Sequence, residues 1–136
     1  MPRRHHRFSD ESGQSAVEFA LVLPLLLLVL LGIVEFGRAY NASNDLNQMA
    51  AAGARFAAVG NYPGSTSLVQ READTGVTQA ATVTLTYPQG CAVGNSVTAT
   101  ATAPITLAHF LGIGTISLHG RATMRIERVP AGGCPS

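Results

Sequence analysis

The sequence has no lysine and few charged side chains of either sign. Charged residues make up 12% of the 136 residues, all nine basic residues are arginine, and the formal net charge is +1. The absence of lysine is typical of a biased genomic base composition. A chain so close to neutral has no overall charge that would attract nucleic acid, so we predict no nucleic-acid partner.

The sequence also has no cluster of titratable side chains that would suggest catalysis. It contains no nucleophile motif and no phosphate-binding loop. Two histidines, His109 and His119, lie far downstream, but two ligands without a third at a suitable spacing do not indicate a metal site. We therefore predict that the protein is not an enzyme and has no cofactor, no metal and no small-molecule substrate.

One long apolar run dominates the first third of the chain. No residue from Phe19 to Val34 is polar, while Glu18 precedes the run and Glu35 follows it. With its apolar flanks the run is long enough to cross a hydrocarbon layer of about 30 Å. A buried helix of a soluble protein is the alternative, but a chain this short has too little structure to enclose it. We predict a transmembrane helix over 14–37, surrounded by membrane lipid.

The charges beside the run predict its orientation. Arg3, Arg4 and Arg7 precede the run, whereas Arg38 alone follows it closely. Short basic flanks favour the cytoplasmic side, so we expect the N-terminus inside and the remainder outside. The apolar region is longer than that of a secretory signal, and no clear signal-peptidase site follows it. We therefore expect a retained anchor.

The helical pattern continues beyond the apolar run. Apolar or small residues recur every seven positions, and polar residues lie between them, which predicts an amphipathic helix over 38–59. The segment MAAAGARFAA at 49–58 would let another element approach the helix backbone closely, although the helix propensity of alanine also explains it. Ser67 and Gln70 fit a capping box and predict a second, short helix.

Three later segments alternate apolar and polar residues with a period of two. They are TVTLTY at 82–87, VTATATA at 97–103 and TISLHGRATMRIE at 115–127. Such alternation is typical of antiparallel strands with one buried face. The connection PITLAHFLGIG at 104–114 is either a loop packed on the sheet or an exposed contact surface. We predict an α+β fold in which the long helix covers a small antiparallel sheet of about three strands within 82–127.

The two cysteines both follow the predicted span. Cys91 and Cys134 would therefore share an oxidising compartment, where an even pair suggests a disulfide. Two unpaired thiols are the alternative. A loop of about 43 residues closed in this way is worth about 4 kcal/mol in the chain-entropy model.

The residues around the start of the apolar run resemble a known motif. Gly13 precedes QSAVEFALVLP, so that Glu18 is the fifth residue counted from Gln14. A short basic leader, a glycine, a glutamate five residues on and an apolar helix resemble type IV prepilin-like proteins. The form with Phe19 and Pro24 resembles the TadE-like pseudopilins of tight-adherence (Flp-type) pilus systems. The resemblance covers about 25 residues, and GRATMRIE at 120–127 is similar to the last strand of the family.

This resemblance implies how the N-terminal segment would work. A membrane-embedded prepilin peptidase would cleave between Gly13 and Gln14, and Glu18 would then pair with the N-terminal amine of a neighbouring subunit. Such pairing would offset the cost of a charge in hydrocarbon. A carboxylate among lipid headgroups without a partner is the alternative. Gln14 departs from the family, which often begins with an apolar, methylated residue, and an N-terminal glutamine can cyclise.

The resemblance implies a minor pilin or pseudopilin, a non-enzymatic assembly factor of an adhesion pilus. Its domains would be a basic leader at 1–13, the span at 14–37 and an extracytoplasmic pilin-like domain at 38–136. Its partners would be prepilin peptidase and other pilins and pseudopilins, in the bacterial inner membrane. A single-span protein whose small outer domain binds an envelope ligand remains an alternative. A membrane-anchored enzyme is a third, disfavoured by the lack of clustered titratable residues.

Overall fold

A computed structural model describes residues 11–74, 76–107, 114–130 and 132–134. The chain forms two compact units that divide between Val34 and Glu35. The first element, helix α1 (Glu11–Ala58), begins in the first unit and ends in the second. The second unit continues with a short helix, α2 (Ser65–Glu72), and a single 3-10 turn (Thr78–Ala80), followed by three strands.

The first unit consists of the apolar part of α1. Its large side chains are exposed, with Leu21 at 76% and Leu31 at 42% of full exposure. An 18-residue stretch of the helix has a mean hydropathy of 2.8 and no buried residue, so α1 is long and apolar enough to cross a membrane. A helix that is apolar on all sides requires an apolar surrounding, which a bilayer supplies.

The second unit contains one antiparallel sheet in the order β1 (Thr82–Thr86), β2 (Ser96–Leu107), β3 (Gly114–Arg125). Adjacent strands pair without interruption, from Thr82 opposite Thr102 in the first ladder to Leu107 opposite Gly114 in the second. The period-two alternation predicts this pairing because only one parity of each strand is apolar. The predicted α+β class with a small three-stranded sheet is confirmed.

The core lies between the sheet and the second half of α1, and β2 is at its centre. Leu46 and Met49 of α1 are fully buried, and so are five apolar residues of β2 that are at most 1% exposed: Val97, Ala99, Ala101, Ala103 and Ile105. The remaining buried members come from α2, β1 and the end of β3. Many core side chains are alanine, so the helix and the sheet must approach closely to leave no space between them.

Two glycines allow this close approach. An added Cβ on Gly120 of β3 would overlap the backbone carbonyl of Leu46, and one on Gly53 would lie 3.1 Å from Leu68 Cδ2 and 3.3 Å from Val83 Cγ1. Gly120 therefore lets the backbone of α1 rest directly on the sheet. The small-residue segment of α1 also lies in the core, as Ala50, Ala54 and Ala57 are buried.

Two sequence-based predictions about local structure need correction. The capping box of Ser67 and Gln70 is wrong, because α2 begins at Ser65 after Gly64 and no side chain caps it. Ser65 instead accepts a hydrogen bond from the Val83 N–H with its Oγ at 2.8 Å. The connection at 104–114 is shorter than predicted, since its first four residues extend β2 and Gly114 begins β3. Residues 108–113 lie outside the described residues.

Candidate functional site

The predicted cleavage site and the predicted assembly carboxylate lie together at the start of α1. Gln14 and Glu18 are one helical turn apart, and both are exposed. The Gln14 Nε2 donates a hydrogen bond to Glu18 Oε1 at 3.3 Å. Residues four apart lie on the same helix face, which explains the contact. The Glu18 carboxylate therefore has one local donor and keeps capacity for further ones, since a carboxylate can accept several hydrogen bonds.

Gly13 is the residue on the leader side of the predicted cleavage bond. It is helical, and no atom lies within 4 Å of the position that a Cβ would take. A larger side chain at this position would therefore not disturb packing among the described residues. The space beside Gly13 can be used to test recognition by an enzyme without altering the fold. The preceding leader residues 1–10, with His5 and His6, lie outside the described residues.

Phe19 and Pro24 follow on the apolar part of α1. Phe19 is 64% exposed, and Pro24 lies inside the helix. Proline has no N–H, so the carbonyl of Ala20 loses its usual partner four residues on. The helix nevertheless continues through this position. The exposed ring and the interrupted ladder both lie on the surface that would face lipid or another helix.

Glu35 differs from Glu18 in its surroundings. The Arg38 guanidinium donates to Glu35 Oε1 at 3.0 Å and to Oε2 at 3.2 Å. This ion pair joins residues three apart on the surface of α1. Glu35 thus has a cationic partner within its own chain, whereas among the described residues Glu18 is bonded to the neutral amide of Gln14.

The two cysteines are joined by a disulfide whose Cα atoms lie 5.9 Å apart. It ties the C-terminal segment to the turn between β1 and β2. This segment also crosses the end of α1, because the N–H groups of Glu127 and Arg128 donate to the Ala58 carbonyl at 2.8 and 3.0 Å. The last carbonyls of a helix have no partner within it, so the segment satisfies one of them.

The described titratable groups of the second unit do not converge. His119 shares a hydrogen bond of 3.1 Å with Thr102 Oγ1 on the exposed face, and His109 lies outside the described residues. Tyr62 and Tyr87 lie near each other at the β1 edge, where burial and then the neighbouring Tyr87 raise the pKa of Tyr62, and burial raises the pKa of Tyr87. The residues that the structure describes contain no group of three potential metal ligands.

Comparison with known proteins locates the resemblance in the N-terminal part of the chain. Residues 13–55 match the family model described as TadE-like protein. This segment of the chain is similar to the TadE-like family. The match includes Gly13, Gln14, Glu18, Phe19 and Pro24, and confirms the resemblance predicted from the sequence. No curated protein and no solved structure matches the chain. TadE-like proteins belong to tight-adherence pilus systems, and the family match therefore implies involvement in such a pilus.

Sequence reasoning missed two positions that organise the second unit. Gly120 is the one glycine in the apolar row of the third strand. A glycine within a strand is a signal for the close approach of another backbone. Ser65 gave no such signal, because its partner Val83 lies 18 residues away and is reached only in the folded chain. The domain boundaries 1–13, 14–37 and 38–136 remain predictions.

Proposed function

We propose that this chain is a minor pseudopilin that prepilin peptidase processes and that assists assembly of a tight-adherence pilus without catalysing a reaction. The observation that carries the proposal is the spacing of Gly13, Gln14 and Glu18 at the start of an exposed apolar helix, inside the segment that matches the family. The chain would lie in the bacterial inner membrane, with its N-terminus in the cytoplasm and its sheet outside.

In this proposal Glu18 has a specific partner. Cleavage after Gly13 would create an amine at Gln14, and the Glu18 carboxylate of one subunit would pair with the amine of another. A buried charge is strongly destabilising unless it is paired, so the pairing would make helix association selective for processed subunits. Small residues such as Gly32, whose Cβ position is open, would let the helices approach.

Glu18→Gln tests this role, because glutamine is similar in size and cannot carry the charge. The variant should insert and be cleaved normally, but pilus production in a complemented deletion strain should fall at least tenfold. Crosslinking between the apolar helix and other pilus subunits should fall in parallel. Glu35→Gln is the matched control, since Glu35 already pairs with Arg38, and we expect it to retain at least half of the pili. Equal, mild effects of both substitutions would contradict the role.

A further inference from the structure

At Val83, the outer edge of β1 is closed by side chains. Val83 directs its backbone groups away from β2. Its N–H donates to Ser65 Oγ at 2.8 Å, and its carbonyl accepts from the Tyr62 hydroxyl at 3.4 Å. Helix α2, which begins at Ser65, packs beside this strand. An additional strand therefore has no free donor or acceptor at Val83.

The part of β2 that extends beyond β1 is protected in a different way. The β1 ladder ends at Thr82 opposite Thr102, while β2 continues to Leu107 against β3. Pro104 lies in this extension. It is one of the alternate residues of β2 whose backbone groups are directed toward the side of β1. Proline has no N–H, and an edge proline is a common protection of sheets against unwanted pairing.

The outer edge of β3 has no such protection. The Ile126 N–H donates to the Asn95 carbonyl at 2.8 Å, and the register from Arg125 back to Gly114 is unbroken. Ile126 therefore directs its backbone groups toward β2, and so does every second residue counted back from it along β3. The residues between these direct their N–H and carbonyl groups outward, because backbone direction alternates along an antiparallel strand. These residues are Thr115, Ser117, His119, Arg121, Thr123 and Arg125. In the part of the chain that the structure describes, no hydrogen bond reaches these outward backbone groups, and β3 has no proline, lysine or bulge.

The side chains along this edge define what would fit beside it. On the exposed face, Arg121 and Arg125 have no acidic neighbour in the sheet, because none of the strand residues is acidic. Among the described residues, the one ion pair is between Glu35 and Arg38. On the α1 face, Ile116 is 43% exposed and Leu118 and Met124 are half-buried, whereas the apolar residues of β2 from Val97 to Ile105 on this face are fully buried.

We propose that the outer edge of β3 binds an extended segment of a partner polypeptide as a fourth strand. Main-chain hydrogen bonds would supply affinity, and alternate side chains would supply specificity. The segment would place apolar residues beside Ile116, Leu118 and Met124, and acidic residues beside Arg121 and Arg125. A second copy of β3 does not fit this description, because it would bring the same two arginines to the same face. The inference does not depend on leader processing.

A synthetic peptide tests the proposal on the full-length chain in detergent. The probe is a fluorescent ten-residue peptide in which valine and glutamate alternate, and the comparison peptide alternates valine and lysine. Fluorescence anisotropy should show binding of the first peptide at least tenfold tighter than the second. Two further probes carry N-methyl groups on every valine or on every glutamate. Only one of them should bind, because alternate residues of an added strand direct their N–H groups toward β3 and the others direct them away. Which of the two peptides fails to bind distinguishes antiparallel from parallel addition.

Thr123→Pro should weaken binding of the valine–glutamate peptide at least tenfold, because it removes an outward N–H and leaves the β2 ladder intact. Thr123→Val is the matched control, since it also loses the 2.8 Å contact with Thr98 Oγ1 but keeps the N–H, and its binding should stay within threefold. Binding of both N-methylated peptides, equal binding of the lysine peptide, or self-association that Thr123→Pro abolishes would overturn the proposal. If Thr123→Pro does not fold, the N-methylated peptides decide the question on the unaltered chain.

Discussion

Gly120 of β3 lies directly beneath the Leu46 carbonyl of α1, so close that a Cβ on the glycine would overlap it. The contact joins the helix backbone to the strand backbone with no side chain between them. Leu46 is fully buried and Gly120 is buried as well. The separation of the helix and the sheet is therefore set by this glycine, and the alanines around it fill the narrow space that remains.

Gly120→Ala should lower the free energy of unfolding of the second unit by about 3 kcal/mol or prevent its folding. Overpacking commonly costs about 1–3 kcal/mol, and here the obstacle is backbone, which cannot rotate away. Urea denaturation followed by tyrosine fluorescence measures the change. Gly76→Ala is the control, because no atom lies within 4 Å of its Cβ position, and we expect a change of about 0.5 kcal/mol or less. Equal stability of the two variants would show that the close contact is absent.

The Cys91–Cys134 disulfide should hold the C-terminal segment across the end of α1. Cys134→Ser should reduce the free energy of unfolding by about 4 kcal/mol, the chain-entropy value for a loop of this length. Limited proteolysis should then cut the C-terminal segment first, because its remaining anchors are the two hydrogen bonds to Ala58 and the packing of Val129 against the core. Labelling of denatured, unreduced protein should find no free thiol. Full labelling without reductant would refute the pairing.

The tyrosines at the β1 edge predict loss of stability at alkaline pH. Burial raises the pKa of Tyr62 and of Tyr87 above the unfolded value of about 10, so the folded state holds these protons more tightly. Their contribution is fully present below pH of about 10 and is lost as the pH rises through the folded pKa values. Unfolding free energies measured from pH 8 to pH 11.5 should fall above pH 10.

Tyr62→Phe should make this alkaline decrease shallower, since one of the two shifted groups is removed. Tyr40→Phe serves as its control because Tyr40 is 61% exposed on α1 and outside the core. It should leave the pH dependence of the parent protein unchanged. The explanation fails if both phenylalanine variants follow the same pH profile as the parent.

The regular elements of this fold could be predicted because their signals are local. The alternation of polar and apolar residues predicted which face of each strand is buried. The length of the apolar run alone predicted a helix that is long enough to cross a membrane. The approach of Gly120 to Leu46 and the bond from Val83 to Ser65 join distant parts of the chain, so no local pattern contains them. The predicted strand ended at Ala103, whereas β2 continues to Leu107. Pro104 is compatible with this extension because β1 pairs no further than Thr102, so the strand needs no donor toward β1.

The candidate site was predictable to a different degree. Gly13, Gln14 and Glu18 were identified through the resemblance of the N-terminal motif to prepilin-like proteins, and the family match includes the same residues. The hydrogen bond from Gln14 to Glu18 follows from their separation of four residues. A pairing of Glu18 with a neighbouring subunit involves a second chain, so the sequence of this chain alone does not predict it.

The mass of the mature chain tests the central claim most directly. The protein should be purified from membranes after coexpression with its prepilin peptidase and measured intact by mass spectrometry. The account predicts loss of the leader up to Gly13, with Gln14 as the first residue. Gly13→Trp should retain the leader and still enter the membrane, because open space surrounds Gly13. An unprocessed parent chain with an active peptidase present would contradict the pseudopilin proposal and would leave a single-span membrane protein in its place.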